Sequence, residues 1–484
     1  MKKNNLFKIL LIVFVFCVFL SWIIPAGVYD NAIFTNSGLK PAGLFDLTLI
    51  PLTVFDLALP SILLILIVGG FYGVINKTGV YQNLVSSMVK KLKGKEVKFL
   101  IIITISLCLF SSLVGLNIAF FVIIPFISAI LLSLGFSNVT VMISTVGSII
   151  TGMIGSIYGN DVSYYINSYL GFNNDLNYNT ELYSKIILMV IIAFLLVMYL
   201  SKRAKMEINQ NNRKNEEKKD ILLLDNDIKT KRSYMPLFVL ILMTFLFILV
   251  GSFKWDSVIG MSSGNKPFFD FYQRIMEIKI GDFAIFEIIL GTFPAIGYWE
   301  LPFISVFTLF MTIIIGLVYK VKIDDMVSGF TNGVQKIFKI SLYLIGANLV
   351  FALLFRNGSN ENFVVTFIDY FMNIPQNFSS IVISLTTLIT SLFFNNFSTL
   401  ISNIYFPTVI LTGSIVNLRF LAGIIMQTMY GLVMFIAPTS VLLITGLSYF
   451  NISYKEWFKN IWKLLLQFVI VIVLVIIILT VFAR

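Results

Sequence analysis

The chain contains no histidine, which removes the commonest metal ligand and the one side chain that ordinarily titrates near neutral pH. Any proton relay would have to run through carboxylates. Cysteine is scarce as well. Cys17 and Cys108 both lie inside apolar runs and read as small core residues, with neither a disulfide framework nor metal-site spacing. There is no HExxH, and no Ser or Cys stands beside an evident base, which argues against an intramembrane protease or lipid-modifying enzyme. Charge is low, at 12% of residues. Apolar residues take its place: 58% of the 484 residues are hydrophobic, and the mean hydropathy is +0.93. A soluble fold of that composition would have little surface to offer water, so the chain reads as an all-α polytopic membrane protein. The formal charge of +11 invites a nucleic-acid reading, but the basic residues gather in short clusters at the ends of apolar runs. That is the pattern of positive-inside topology, so no nucleic-acid partner is expected.

Lys2 and Lys3 precede an apolar run from Phe7 to Ile24. The run is longer than a signal-peptide core, and Pro25-Ala26-Gly27 offers no small-x-small cleavage pattern, so a retained first helix with a cytoplasmic N-terminus is expected. Val28 to Leu59 reads as an external segment, completing a first unit over 1–60. Ser61 to Ile75 then crosses inward with a small-residue face at Gly69, Gly70 and Gly73. An amphipathic piece, Val80 to Leu92, lies in the interface plane before the cluster Lys90 to Lys98. Phe99 to Leu134 holds two short apolar arms about the pivot Ser111-Ser112-Leu113-Val114-Gly115-Leu116-Asn117, a candidate re-entrant hairpin over about 99–134. A glycine-interrupted helix over about 138–170 opens into Tyr158-Gly159-Asn160-Asp161. The polar loop Asn173 to Glu181 fits the outside, and Ile186 to Leu200 returns, closing a unit over 61–201.

Composition then changes abruptly. Residues 202–232 are charged and Asn-rich and read as a flexible, solvated cytoplasmic linker. Residues 233–338 supply scaffold helices and an amphipathic interface piece, Ile323 to Phe338. The last unit, 339–484, opens with a span from Ile340 to Phe355. It continues with a hairpin over about 378–413, a broken helix over about 418–449 and a final helix over 464–482.

Within that second hairpin, LFFNNFSTLISNIYF (Leu392 to Phe406) lies between apolar segments too short to span a bilayer, which takes roughly 20 residues. The chain is expected to enter, turn at Asn395-Asn396 and leave on the same side. Non-helical backbone at that depth is tolerated only where protein or a watery cavity satisfies it. Ser/Thr/Asn groups that merely bond neighbouring helices are the alternative for any one residue here. The first half of the chain holds a counterpart. LILIVGGFYGVINKTG (from Leu64) matches SLYLIGANLVFALLFRNG (from Ser341) in its order of features, and the pivots from Ser111 and Ser391 each precede a proline, Pro125 and Pro407. The lysine clusters flank the copies at opposite ends, so the two are expected to be inverted-topology repeats, the architecture of secondary transporters.

The runs IVGGFYGVINKTG, GSIITGMIGSIYGND, IAPTSVLLITGLSYFNISYKEWFK and WIIPAGVYD resemble the corresponding stretches of YfcC-type proteins. These belong with the C4-dicarboxylate anaerobic carriers (DcuC-like) of the ion transporter superfamily. The resemblance runs through nearly the whole chain. It implies a scaffold and a transport domain with two hairpins, a homodimer, an elevator-type movement, and substrates ranging over dicarboxylates and amino acids. The chain departs from the family at both pivots. Leu116-Asn117 stands where an acidic pair is common, and Asn395-Asn396-Phe397-Ser398-Thr399 where a Pro-Ser-Gly-Ser-Gly-like run is common.

The expected function is secondary active transport of a small carboxylate-bearing solute across the cell membrane. The alternatives are an arginine/ornithine-type antiporter and, in another class, an intramembrane enzyme or a channel. The candidate site comprises Asn117, Ser148, Thr151, Asn160, Asn395, Asn396, Ser398, Thr399, Asn403, Pro438, Thr439 and Ser440. Uncharged amides and hydroxyls bond carboxylate oxygens without the roughly 2.5–3.5 kcal/mol insertion cost of a mid-membrane charge. Asp161 is a candidate coupling carboxylate or a solvated rim residue. No cofactor is expected; Na+ at the pivots, or H+, is the candidate coupling ion.

Overall fold

A computed structural model describes residues 5–483 apart from 31–32, 116, 158–174, 212–219, 224–231, 257–265, 282, 292, 357–360, 376 and 413–415. Among the described residues, eight helices are long and apolar enough to cross a membrane, and strand is confined to two short hairpins. The chain is an all-α polytopic membrane protein.

α1 (Leu6–Ile23) leads into the hairpin β1 (Gly27–Asp30) and β2 (Ile33–Asn36). The sequence placed an external segment over Val28 to Leu59. Instead, α2 runs unbroken over Leu44–Lys77, through Pro51 and Pro60. Each proline removes one backbone donor, and the helix continues because its C-terminal half is held by a partner. That partner is α12 (Ile323–Leu354), likewise one helix where the sequence suggested an interface piece followed by a separate span. Gly69 and Gly73 face Gly329 and Gly333. A Cβ on Gly73 would sit 2.0 Å from the Gly329 carbonyl oxygen, and one on Gly333 would sit 1.9 Å from that of Gly69. Contact this close is what small residues allow between membrane helices, and it makes an amphipathic stretch part of the core.

After α3 (Tyr81–Leu92), α4 (Glu96–Val114) ends at Gly115 in the left-handed region, and a 3-10 segment over Asn117–Val122 leads into α5 (Ile124–Ser133). α6 (Asn138–Ile154) contains a π-helical stretch over Ile143–Gly147 and stops at Gly155. α7 (Asp175–Asn211) reaches both further back and further forward than expected. It takes in part of the supposed loop Asn173 to Glu181 and nine residues beyond Lys202. Its basic end is not free in solvent: Arg203 bonds Thr140, Glu207 and Asn460, tying α7 to α6 and to the last helix. The linker itself is partly docked. Asp220 and Leu222 are buried, contrary to a solvated linker. Leu222 fills an apolar position, and the Asp220 carboxylate finds three donors.

α8 (Met235–Ser252), α9 (Pro267–Met276), β3 (Lys279–Ile280), β4 (Phe283–Ala284), α10 (Ile285–Leu290) and α11 (Leu301–Val318) precede α12. Then follow α13 (Phe363–Met372), α14 (Ser380–Thr390), α15 (Phe397–Thr412), α16 (Val416–Val433), α17 (Val441–Tyr449) and α18 (Tyr454–Ala483). Two bodies emerge from the packing. α1, α2, α11 and α12 form one; α4, α6, α7, α14, α16 and α18 form the other. Neighbour relations recur along the chain: α3 packs on α5 as α13 does on α15, α4 on α6 as α14 on α16, and α6 on α7 as α16 on α18. α6 and α16 meet each other.

Candidate functional site

The polar pivots converge on a cavity of about 330 Å³ between the two bodies. Its size falls within the roughly 300–1,000 Å³ usual for small-molecule sites. One wall comes from the first body: Leu57, Pro60 and Ser61 of α2, with Asn348 and Phe351 of α12. Pro60 withholds a helix donor at this wall. The opposite wall joins the two halves of the chain, with Asn117 and Ser156 from one and Asn395, Asn396, Tyr430 and Ser440 from the other.

Each polar group is held by a local reason. At the first pivot the Ser111 hydroxyl lies 2.7 Å from Asn117 Oδ1 and 2.7 Å from the Ile149 carbonyl, so the turn is fixed to α6. Gly115 closes α4 by donating its N–H to the Ser111 carbonyl, with φ at +78°, which glycine adopts without strain. At the second pivot Asn395 Nδ2 donates to Asn348 Oδ1 at 2.5 Å, and the Tyr430 hydroxyl donates to the Asn395 carbonyl at 2.9 Å. Asn396 caps α15, its Oδ1 accepting from the Ser398 N–H at 2.9 Å, an interaction typically worth about 1 kcal/mol. Ser440 caps α17 in the same way, through the Leu443 N–H. The partly positive N-terminal ends of α15 and α17 therefore both border the cavity, which favours an anion there. No carboxylate, lysine or arginine is among the described lining residues.

The sequence-derived candidates divide clearly. Asn117, Asn395, Asn396 and Ser440 line the cavity together. Ser148 and Thr151 do not: both are buried, and their hydroxyls donate back to Ser144 O and Gly147 O of their own helix. Thr439 also turns away, donating to the Leu392 carbonyl at 3.0 Å, which closes the break before α17 onto the second pivot. Asn403 donates to Thr399 O one turn earlier, and Ser398 serves the cap of α15. Ser398, Thr399 and Pro438 are half-buried and outside the lining. Asn160 and Asp161 lie outside the described residues.

Sequence reasoning missed Asn348, Tyr430, Ser61 and Ser156. For Asn348 the only available signal was a lone amide in an apolar helix. Gln427 was missed in the same way; its Nε2 donates to the Ile154 and Ser156 carbonyls, linking α16 to the end of α6 beside the cavity. No cluster of metal-ligating side chains occurs among the described residues. The carbonyls of Gly115, Leu392 and Asn395 at the pivots each accept a protein hydrogen bond, leaving a second lone pair on each, whereas that of Ser112 accepts two, from the Ile157 N–H and the Ser156 hydroxyl.

Apolar spanning helices, a broken helix and turns that bring amides into an internal cavity are the parts from which secondary transporters are built. The chain belongs to the C4-dicarboxylate anaerobic carrier (DcuC) family, whose model matches residues 4–481. It is a membrane transporter of that type. No curated protein sequence matches it significantly. Among solved structures it is similar to the Alcanivorax borkumensis YdaH transporter, with 12% identity and a TM-score of 0.40 over 98% of each chain.

Proposed function

We propose that the chain carries a C4-dicarboxylate or a closely related small carboxylate across the membrane, seating it against Asn117, Asn395, Asn396 and Ser440. The observation that carries this reading is the cavity's chemistry: amides, hydroxyls and two helix N-termini, with no charged side chain among the described lining residues. A carboxylate finds donors there. A guanidinium or ammonium group would need an anionic partner, so the arginine/ornithine-type exchange is the weaker alternative. An enzyme or a channel is the remaining alternative class.

In this reading the two halves are inverted repeats. Their hairpins enter the membrane from opposite faces, the N-terminus is cytoplasmic, and the body carrying the pivots moves against α2 and α12 as an elevator within a homodimer. The recurring neighbour relations support the repeat, and the placement of the cavity between the bodies supports the movement. Na+ coupling through the spare pivot lone pairs, or H+ coupling, belongs to the same proposal. Counterflow in proteoliposomes tests it: internal unlabelled succinate should drive accumulation of labelled external succinate. Equilibration without accumulation would point to a channel, and no flux of any dicarboxylate would reject the substrate class. An impermeant thiol reagent, applied to single cysteines placed at the two ends of α3 and α13, would contradict the inversion if both copies were labelled from the same face.

A further inference from the structure

Residues 220–223 lie between α7 and α8, in a stretch whose composition suggested solvent, yet Asp220 and Leu222 are 4% and 1% exposed. The Asp220 carboxylate accepts from the Ser128 hydroxyl of α5, from the Tyr449 hydroxyl of α17 at 2.7 Å and from the Leu222 N–H at 2.9 Å. The Leu222 carbonyl in turn accepts from Asn76 Nδ2 of α2 at 2.8 Å. The segment therefore bonds α2, which belongs to the first body, and also α5 and α17, which carry pivot-side structure. No lysine or arginine pairs with Asp220 among the described residues. The titratable groups facing it are phenols: Tyr72 of α2, Tyr81 of α3 and Tyr449 of α17. Tyr81 places a buried hydroxyl there with no hydrogen-bond partner among the described residues.

We propose that Asp220 is a proton-binding site that keeps residues 220–223 docked as a strap across the two bodies and lets them go when it ionises. A carboxylate enclosed without a counter-ion is costly in its charged form, and detaching the strap returns it to water. Burial pushes the Asp220 carboxyl from 3.8 up to about 6, against the opposing pull of its three hydrogen bonds. The docked state therefore binds the proton more tightly than the released state. Docking is strongest below the ordinary carboxylate value, weakens as pH rises towards 6 and is constant above that. The Asn76 amide's bond to the Leu222 carbonyl adds to docking by an amount that does not change with pH.

The test uses the purified full chain in detergent, with Cys17 and Cys108 replaced by alanine and a single cysteine at either Leu222 or Ile221. Ile221 is exposed, so the maleimide labelling rate of Leu222→Cys divided by that of Ile221→Cys cancels the pH dependence of the thiol itself. Between pH 5 and 7.5 this ratio should rise about tenfold with Asp220 present. With Asp220→Asn it should stay flat and low. A flat ratio in the Asp220 protein, or a rise that survives Asp220→Asn, would overturn the proposal. Hydrogen exchange at the amides of residues 221–223 in the unmodified chain gives the same reading without cysteine substitution, and no protection at pH 5 would equally overturn it. Neither measurement involves a solute, so both are independent of the carrier reading.

Discussion

Asn395, in the turn before α15, and Asn348, near the C-terminal end of α12, are joined by an amide–amide hydrogen bond of 2.5 Å across the cavity that separates the two bodies. If the bodies move relative to one another during transport, this bond must break and re-form. Replacing either residue by alanine should slow uptake about tenfold, equivalent to about 1.4 kcal/mol. The double variant should be little worse than either single one, because both changes remove the same bond. Initial uptake rates for the four proteins check this; strict additivity would show that the two amides act separately.

The crossing of α2 and α12 has no room for a side chain. Gly73→Leu or Gly333→Leu should prevent close approach and lower stability by about 3 kcal/mol or more, because the obstruction is backbone and cannot rotate aside. Gly38 is the control, since nothing lies within 4 Å of the position its Cβ would take; its positive φ makes Gly38→Asn the suitable change, with a small effect. Thermal unfolding in detergent distinguishes the two.

Gln427→Leu keeps the volume and removes the donor to the Ile154 and Ser156 carbonyls. Two buried acceptors at the end of α6 would lose their partner, at about 1–3 kcal/mol. The variant should unfold earlier, and Gln427→Glu, which retains the oxygen but loses the amide donor, should not rescue it. Melting temperatures of the three proteins decide the matter.

Asp220 makes stability depend on pH with a fixed sign. Its carboxyl is raised to about 6 when buried, so the contribution is fully present below 3.8 and is lost as pH rises through 6. The shift corresponds to about 3 kcal/mol at most. Asp220→Asn stays neutral, so its melting temperature should fall less than that of the parent between pH 5 and pH 7.5. Parallel curves would contradict the assignment.

How much of this was legible in the sequence depended on contrast. Asn117 and the Asn395-Asn396 pair stood out because amides in short apolar arms are costly in lipid unless a cavity or a neighbouring helix receives them, and they do meet at one cavity. Ser148 and Thr151 looked equally polar, but small hydroxyls in a helix commonly satisfy themselves on the preceding turn, and these do. Asn348 and Gln427 gave no usable signal, because one amide in an apolar helix reads the same whether it bonds a neighbouring helix or faces a cavity. The lengths of α2 and α12 were hidden for a different reason. Prolines and amphipathic composition suggested interruptions that tertiary packing of four glycines overrides. Asp220 was hidden by its neighbours, since a charged, Asn-rich stretch carries no mark of the four residues that dock.

The most direct test of the central claim is succinate counterflow in proteoliposomes, comparing the parent chain with Asn117→Ala and Asn395→Ala. The account predicts accumulation driven by internal succinate in the parent, and a loss of about tenfold or more in each variant at equal reconstituted protein. Undiminished counterflow in both variants would show that the solute binds elsewhere and contradict the assignment of this cavity.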